Sequence, residues 1–248
     1  RFCEWHLANP DRRVRIGNPD ELRSNRMGKT LDLLKHRVLK PEQGVAESIH
    51  GSVITALNEE AVVNAALGKK GGLNLVVSYE AFAMKMIGAL RQEIIFARHQ
   101  KALGRPPGWL SVPVIATSHL WENGKNEQSH QDSAFGEVLL GEMSDMTRVV
   151  YPADANSAVA CLDTCYQTQG QIWGMTIPKN DVVTAFTPKQ AAQLVEQGAL
   201  TLDKTDGAPV QLVAVGAYQL GVCQEVKRTL SKQGIQCRIT YLLEPGRF

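Results

Sequence analysis

Short apolar runs alternate with helix-spaced segments along most of the 248 residues, and that alternation leaves the chain few folds to adopt. The runs at residues 73–77, 112–117, 147–151 and 172–177 are mostly apolar and read as strands, and Val14 and Ile16 alternate with Arg13 and Arg15 in a shorter one. Between them, residues 45–67, 81–100, 134–143, 157–167 and 188–197 carry apolar side chains at helical spacing. Continuous apolar strands separated by segments long enough to cross over predict a doubly wound parallel sheet. Punctuation fits: Gly17-Asn18-Pro19 ends the first strand, Asp20 and Glu21 stand where a helix would open, and Asp154-Ala155-Asn156 supplies a cap. The basic stretch 28–44 has no interleaved aromatics and reads as a solvated connection rather than a phosphate site. After the polar linker 203–207, a strand (211–215), a helix (220–233) and a strand (238–243) form one βαβ unit. The expected domains are therefore 1–200 and 208–248. Two parallel strands leave a face uncovered, so the second unit is expected to be completed by residues beyond Phe248 or by another chain.

Composition narrows the functional classes. With 27 Lys and Arg against 25 Asp and Glu, the net charge of +2 argues against a broad nucleic-acid footprint. No run approaches the ~18 apolar residues of a membrane span, and no signal-peptide pattern opens the chain. Five scattered cysteines without a CxxC pair read as buried thiols of a reducing cytoplasm rather than metal ligands.

The densest chemistry follows the strand at 112–117. Residues 121–132, WENGKNEQSHQD, pack Glu122, Asn123, Lys125, Asn126, Gln128, His130 and Asp132 into one loop, just after Ser118 and His119. Loops at the carboxyl ends of parallel strands are where such folds hold ligands, although a polar surface loop has the same composition.

Taken together, Arg15-Ile16-Gly17-Asn18-Pro19-Asp20-Glu21 with Ser24-Asn25-Arg26, then Glu47, Ser78-Tyr79-Glu80-Ala81-Phe82, Ser118-His119-Leu120-Trp121, Ser129-His130-Gln131-Asp132, Asp154-Ala155-Asn156 and Lys179 follow the order and spacing of phosphoketolases. The chain resembles the middle, pyrimidine-binding domain of these thiamine-diphosphate enzymes plus the start of their transketolase-type carboxyl-terminal domain. The resemblance implies roles. Glu47 is expected to be the carboxyl at the aminopyrimidine, with Tyr79 and Phe82 as its aromatic surroundings. Ser24, Arg26 and Lys179 are expected to hold the substrate phosphate. His130, Lys125 and Asn126 are the expected catalytic residues of the loop, with His119 and Asn123 beside them.

Two departures from the family pattern shape the expected function. The Gly-Asp-Gly stretch and later Asn that hold Mg2+ and the diphosphate do not occur, so those ligands are expected on a partner chain or a further domain, in a hetero-oligomer built on a dimer. Within the loop, Glu122 replaces an arginine, Asn123 a glutamine and Lys125 a histidine. A lysine is normally protonated near neutrality and makes a poor base. The resemblance thus implies cleavage of xylulose 5-phosphate or fructose 6-phosphate through a thiamine-bound two-carbon adduct. That adduct would be released as acetyl phosphate or passed to another acceptor. A non-catalytic scaffold or regulatory subunit derived from a phosphoketolase is the alternative.

Overall fold

The structure, a computed structural model, describes residues 1–19, 21–117, 132–142, 145–202 and 207–248. Its centre is β1 (Val14–Asn18), which pairs in parallel with β4 (Val53–Thr55) on one side and β5 (Leu73–Tyr79) on the other. Beyond β5 lie β6 (Val112–Thr117), β8 (Ile172–Thr176) and β7 (Thr147–Val150), and beyond β4 lie β2 (His36–Arg37) and β3 (Glu47–Ser48). These eight strands form one sheet in the order β3-β2-β4-β1-β5-β6-β8-β7, every pairing parallel, which is the expected doubly wound architecture.

Helices cover both faces, which is why the central strands read as unbroken apolar runs. On one face α3 (Glu59–Leu67), α5 (Ile87–Ala102) and α6 (Ala134–Leu140) bury Val62, Leu90, Ile94 and Phe135. On the other, α1 (Phe2–Ala8), α2 (Gly28–Leu34) and α7 (Ala155–Cys165) bury Phe2, Leu31, Leu34 and Leu162. Fully enclosed side chains such as Leu75 and Leu90 each contribute about 1.5–3 kcal/mol by leaving water.

A second, three-stranded sheet has the order β10-β11-β9, formed by β9 (Ala199–Thr201), β10 (Val210–Ala214) and β11 (Cys237–Leu242), with α9 (Ala217–Lys232) crossing from β10 to β11. The sequence reading had two strands here; the third comes from ahead of the linker and runs antiparallel to β11. Tyr241 fastens the two sheets: its ring lies 5.3 Å from that of Phe186, and its hydroxyl donates to the Tyr151 carbonyl. Near it the Arg148 guanidinium, 3.9 Å from the Trp173 ring centre, pairs with Glu244.

Four local expectations need correction. Residues 45–67 are not one helix but β3, β4 and α3. Val53 pairs with Ile16 with no exposed area, and Asn58, whose side chain accepts the Ala61 N–H, starts the helix late. Residues 28–44 contain α2 and β2 rather than a bare connection. Residues 21–27 make turns rather than a helix. The helix at 81–100 is broken by a 3-10 turn, Met84–Met86, between α4 (Glu80–Ala83) and α5.

Candidate active site

The carboxyl ends of β1, β5, β6 and β8 lie side by side, and polar residues at the ends of β1, β5 and β6 hold the turn 21–27 against them. Asn18, at the end of β1, donates from Nδ2 to the Val77 carbonyl (2.8 Å) and accepts the Glu21 N–H at Oδ1 (2.6 Å). Asn25, itself buried, donates to the Glu21 carbonyl (2.7 Å) and accepts from the Thr117 hydroxyl at the end of β6. The turn 21–27 is thereby stitched onto two strands. It presents Ser24, which donates to the Glu21 carbonyl (2.9 Å) and accepts the Tyr79 hydroxyl (2.7 Å). Two residues on, exposed Arg26 takes the left-handed backbone conformation (φ 61°) that a side-chain-bearing residue seldom adopts. Such strain often accompanies function.

Tyr79 anchors a row of alternating charge and aromatic surface. The Lys179 ammonium lies 4.9 Å from the Tyr79 ring centre, and the Tyr79 and Phe82 rings are 5.9 Å apart at a tilt of 51°. The Lys85 ammonium lies 4.9 Å from the Phe82 ring and 3.3 Å from Oε1 of Glu59. Glu59 is 8% exposed, at the first turn of α3. The close seating of that helix depends on Gly17, where a Cβ would fall 2.3 Å from the Val62 carbonyl oxygen. Lys179 follows β8 on a segment pinned by Asp154, whose Oδ2 accepts the N–H groups of Ala185 and Phe186, both at 2.8 Å.

A second carboxyl lies beside this row. Glu21 is half-buried, and its Oε2, like the Ser78 hydroxyl, is enclosed without a hydrogen-bond partner. Burial, with the negative charge of Glu59 adding to it, pushes the Glu21 carboxyl up to about 7; the Tyr79 backbone N–H and Lys85 pull the other way. The site thus combines a half-buried acid that titrates near neutrality with a buried glutamate that carries a lysine.

Of the residues singled out in the sequence, Ser24, Tyr79, Phe82 and Lys179 come together and Arg26 adjoins them. Glu47 does not. It sits half-buried on the sheet-edge strand β3, its Oε2 accepting the Glu42 N–H at 2.9 Å. Strands β2, β4 and β1 separate it from β5, roughly 19 Å at ~4.8 Å per strand. The acid that the fold brings to the aromatic pair is Glu59. Its signal was Asn58-Glu59 opening a helix after the strand 53–55, a cap hidden when 45–67 is read as one helix. His119, Asn123, Lys125, Asn126 and His130 lie outside the described residues.

Comparison with known proteins bears on the family and the fold. Residues 2–168 match the family model described as D-xylulose 5-phosphate/D-fructose 6-phosphate phosphoketolase. A probable phosphoketolase of Bifidobacterium animalis subsp. lactis is 26% identical over 98% of this chain and 31% of its own length. The xylulose-5-phosphate phosphoketolase of Lactiplantibacillus pentosus is 28% identical over 79% of this chain and 25% of its own. The chain therefore spans a third or less of these relatives. In fold it is similar to the transketolase of Leishmania mexicana (TM-score 0.77, 15% identity, 98% of this chain and 33% of that one). It is also similar to a split-gene transketolase described as an inactive beta4 tetramer (TM-score 0.65, 15% identity, 98% of this chain and 68% of that one). The matched stretch takes in most of the parallel sheet and every described site residue except Lys179, and on that ground the chain belongs to the phosphoketolase family.

Proposed function

We propose that this chain supplies the pyrimidine side of a thiamine-diphosphate site and, with a partner chain or domain that holds Mg2+ and the diphosphate, cleaves a ketose phosphate such as xylulose 5-phosphate or fructose 6-phosphate. The observation that carries the reading is the Tyr79–Phe82 pair, flanked by Lys179 on one side and by Lys85 and the buried Glu59 on the other. The residues present fit the aminopyrimidine half of the cofactor: an aromatic face, a carboxyl enclosed at a helix start, and an orphaned carboxyl oxygen on Glu21. Among the described residues no His, Cys, Asp or Glu cluster is grouped to hold a metal ion.

Each role follows from chemistry. Glu59 bonds a ring nitrogen and keeps a proton there, in place of Glu47. Tyr79 and Phe82 exclude water and orient the ring, while Ser24, Arg26 and Lys179 clamp the substrate phosphate. His130, Asn126 and Lys125 serve proton transfers to substrate hydroxyls from the loop, with His119 and Asn123 beside them. When bound, thiamine diphosphate would supply the nucleophilic carbon that adds to the ketose carbonyl and the electron sink that takes up the electron pair of the broken adjacent bond. The two-carbon product leaves as acetyl phosphate or passes to another acceptor. Lys125, where the family has histidine, favours the second outcome, because a protonated lysine is a poor base for the proton transfers that dehydration to an acetyl unit needs. The similarity to a split-gene transketolase, inactive as a tetramer of one chain, is consistent with a need for a second kind of chain. The scaffold reading is the second one, and the same lysine favours it.

The test combines the chain with the co-purifying polypeptide, thiamine diphosphate, Mg2+ and either ketose phosphate, and measures acetyl phosphate and transferred two-carbon units. Turnover to one of these products is expected. A well-formed assembly that turns over neither substrate would leave the scaffold reading.

A further inference from the structure

At the amino ends of the strands, opposite the candidate active site, the fold collects charge of one sign. A cavity of about 410 Å3 opens where β1 and β4 begin, its floor including Val14 and Ser52. Arg12, Arg13, Arg15, Arg37 and Lys69 all line it, and no Asp or Glu does. That is far from the near balance of the whole chain, 27 cationic against 25 anionic residues. Among the described residues none of the five is in an ion pair. Arg15 is held in place by a bond to the Ala65 carbonyl (3.3 Å). His6 lines the same cavity, with its Nδ1 enclosed and lacking a hydrogen-bond partner.

These charges come from distant parts of the chain and are fixed by the sheet itself. Arg13 and Arg15 flank the first residue of β1, Arg37 ends β2, and Lys69 follows α3. The backbones are closely packed at this edge: at Gly51, which also lines the cavity, a Cβ would fall 2.4 Å from the His36 carbonyl oxygen. Unpaired cations held around one concavity repel one another, and an anion that bridges them relieves the repulsion. The volume is that of a small-molecule site rather than of a single phosphate, and guanidinium groups suit phosphate oxygens by their paired donors.

We propose that this cavity binds a small molecule bearing several phosphates in series, an oligophosphate either free or as the tail of a nucleotide. The site is independent of the chemistry assigned to the opposite end of the sheet.

Titration calorimetry with inorganic tripolyphosphate, on the chain alone and on its complex with any co-purifying partner, tests this. Binding at one site is expected, at least tenfold tighter than inorganic phosphate and weakening at least tenfold between 50 and 300 mM salt. Arg13→Glu and Arg37→Glu should each weaken it at least tenfold, whereas Lys189→Glu, in the separate helix Pro188–Gln197, should leave it unchanged. Both arginines are exposed, so the variants are expected to fold, as circular dichroism would check. On the unaltered protein, tripolyphosphate should protect Lys69 from amine modification. A nucleoside triphosphate that binds more tightly than tripolyphosphate would assign the nucleotide source, and equal binding the free one. Lack of protection, equal affinity for phosphate, or an equal loss in Lys189→Glu would overturn the proposal. So would a partner that closes the cavity and is itself weakened by Arg13→Glu, which would make this face an interface.

Discussion

Replacing Glu21 with Gln should stabilise the chain at alkaline pH and do nothing at acid pH. The carboxyl has its ordinary value of 4.5 when unfolded and about 7 when folded. A folded value above the unfolded one means that the native state holds the proton more tightly. Stability from this group is therefore fully present below pH 4.5 and is lost as pH rises through about 7. A difference of about 2.5 pH units corresponds to about 3.4 kcal/mol. Because the group is only half-buried, solvent screening reduces this to roughly 1–2 kcal/mol. Glutamine keeps the shape and removes the charge that burial and Glu59 disfavour. At pH 8 the variant should melt about 3–6 °C higher, with equal melting at pH 4. Thermal denaturation of both proteins from pH 4 to 8 measures this. A variant less stable at pH 8, or equally stabilised at both ends, would refute the assignment of Glu21 as a desolvated acid.

Other substitutions probe how the site is built. Gly17→Ala should cost about 2–4 kcal/mol in urea unfolding, because the new Cβ would meet the Val62 carbonyl at 2.3 Å and push α3 off β1; a cost below 1 kcal/mol would contradict the close seating. Asp154→Ala should cost about 3–5 kcal/mol, since this buried carboxylate accepts from Ser157, Ala185 and Phe186 and its loss leaves those donors unpaired; an unchanged melting temperature would count against it. In the native protein a thiol reagent should reach Cys3 and Cys223 and spare Cys161 and Cys165, which are buried with their thiol values raised by desolvation. Rapid labelling of all five cysteines without denaturant would contradict that burial.

The main sheet was legible because β5, β6 and β8 are buried on both faces, and double burial writes an unbroken apolar run into the sequence. Short edge strands write almost nothing. His36–Arg37 and Glu47–Ser48 pair through backbone alone and look like loop. The strand at 53–55 and the helix from Glu59 happen to space Val53, Leu57, Ala61 and Ala65 as one helix would, which hides the cap at Asn58 and sets Glu47, the acid that the resemblance points to, near the amino end of that apparent helix. Tyr79, Phe82, Ser24 and Lys179 are singled out only by the family resemblance; the fold brings them together because Tyr79 ends β5 and Lys179 closely follows β8. Glu21 reads as a helix-opening residue and as part of the family's run 15–21, with no sign of its raised pKa, since desolvation is a property of its neighbours. The basic cavity joins residues from four separate segments, and no local window contains it.

In the proposed function Glu59, rather than Glu47, meets the cofactor ring. The direct measurement is turnover of ketose phosphate by the assembled enzyme carrying Glu59→Gln or Glu47→Gln, with assembly and folding checked in each. Loss of the proton-holding group should lower kcat about 100-fold or more in Glu59→Gln and leave Glu47→Gln within about threefold of the unaltered enzyme. The reverse pattern, with Glu59→Gln active and Glu47→Gln inactive, would contradict the account.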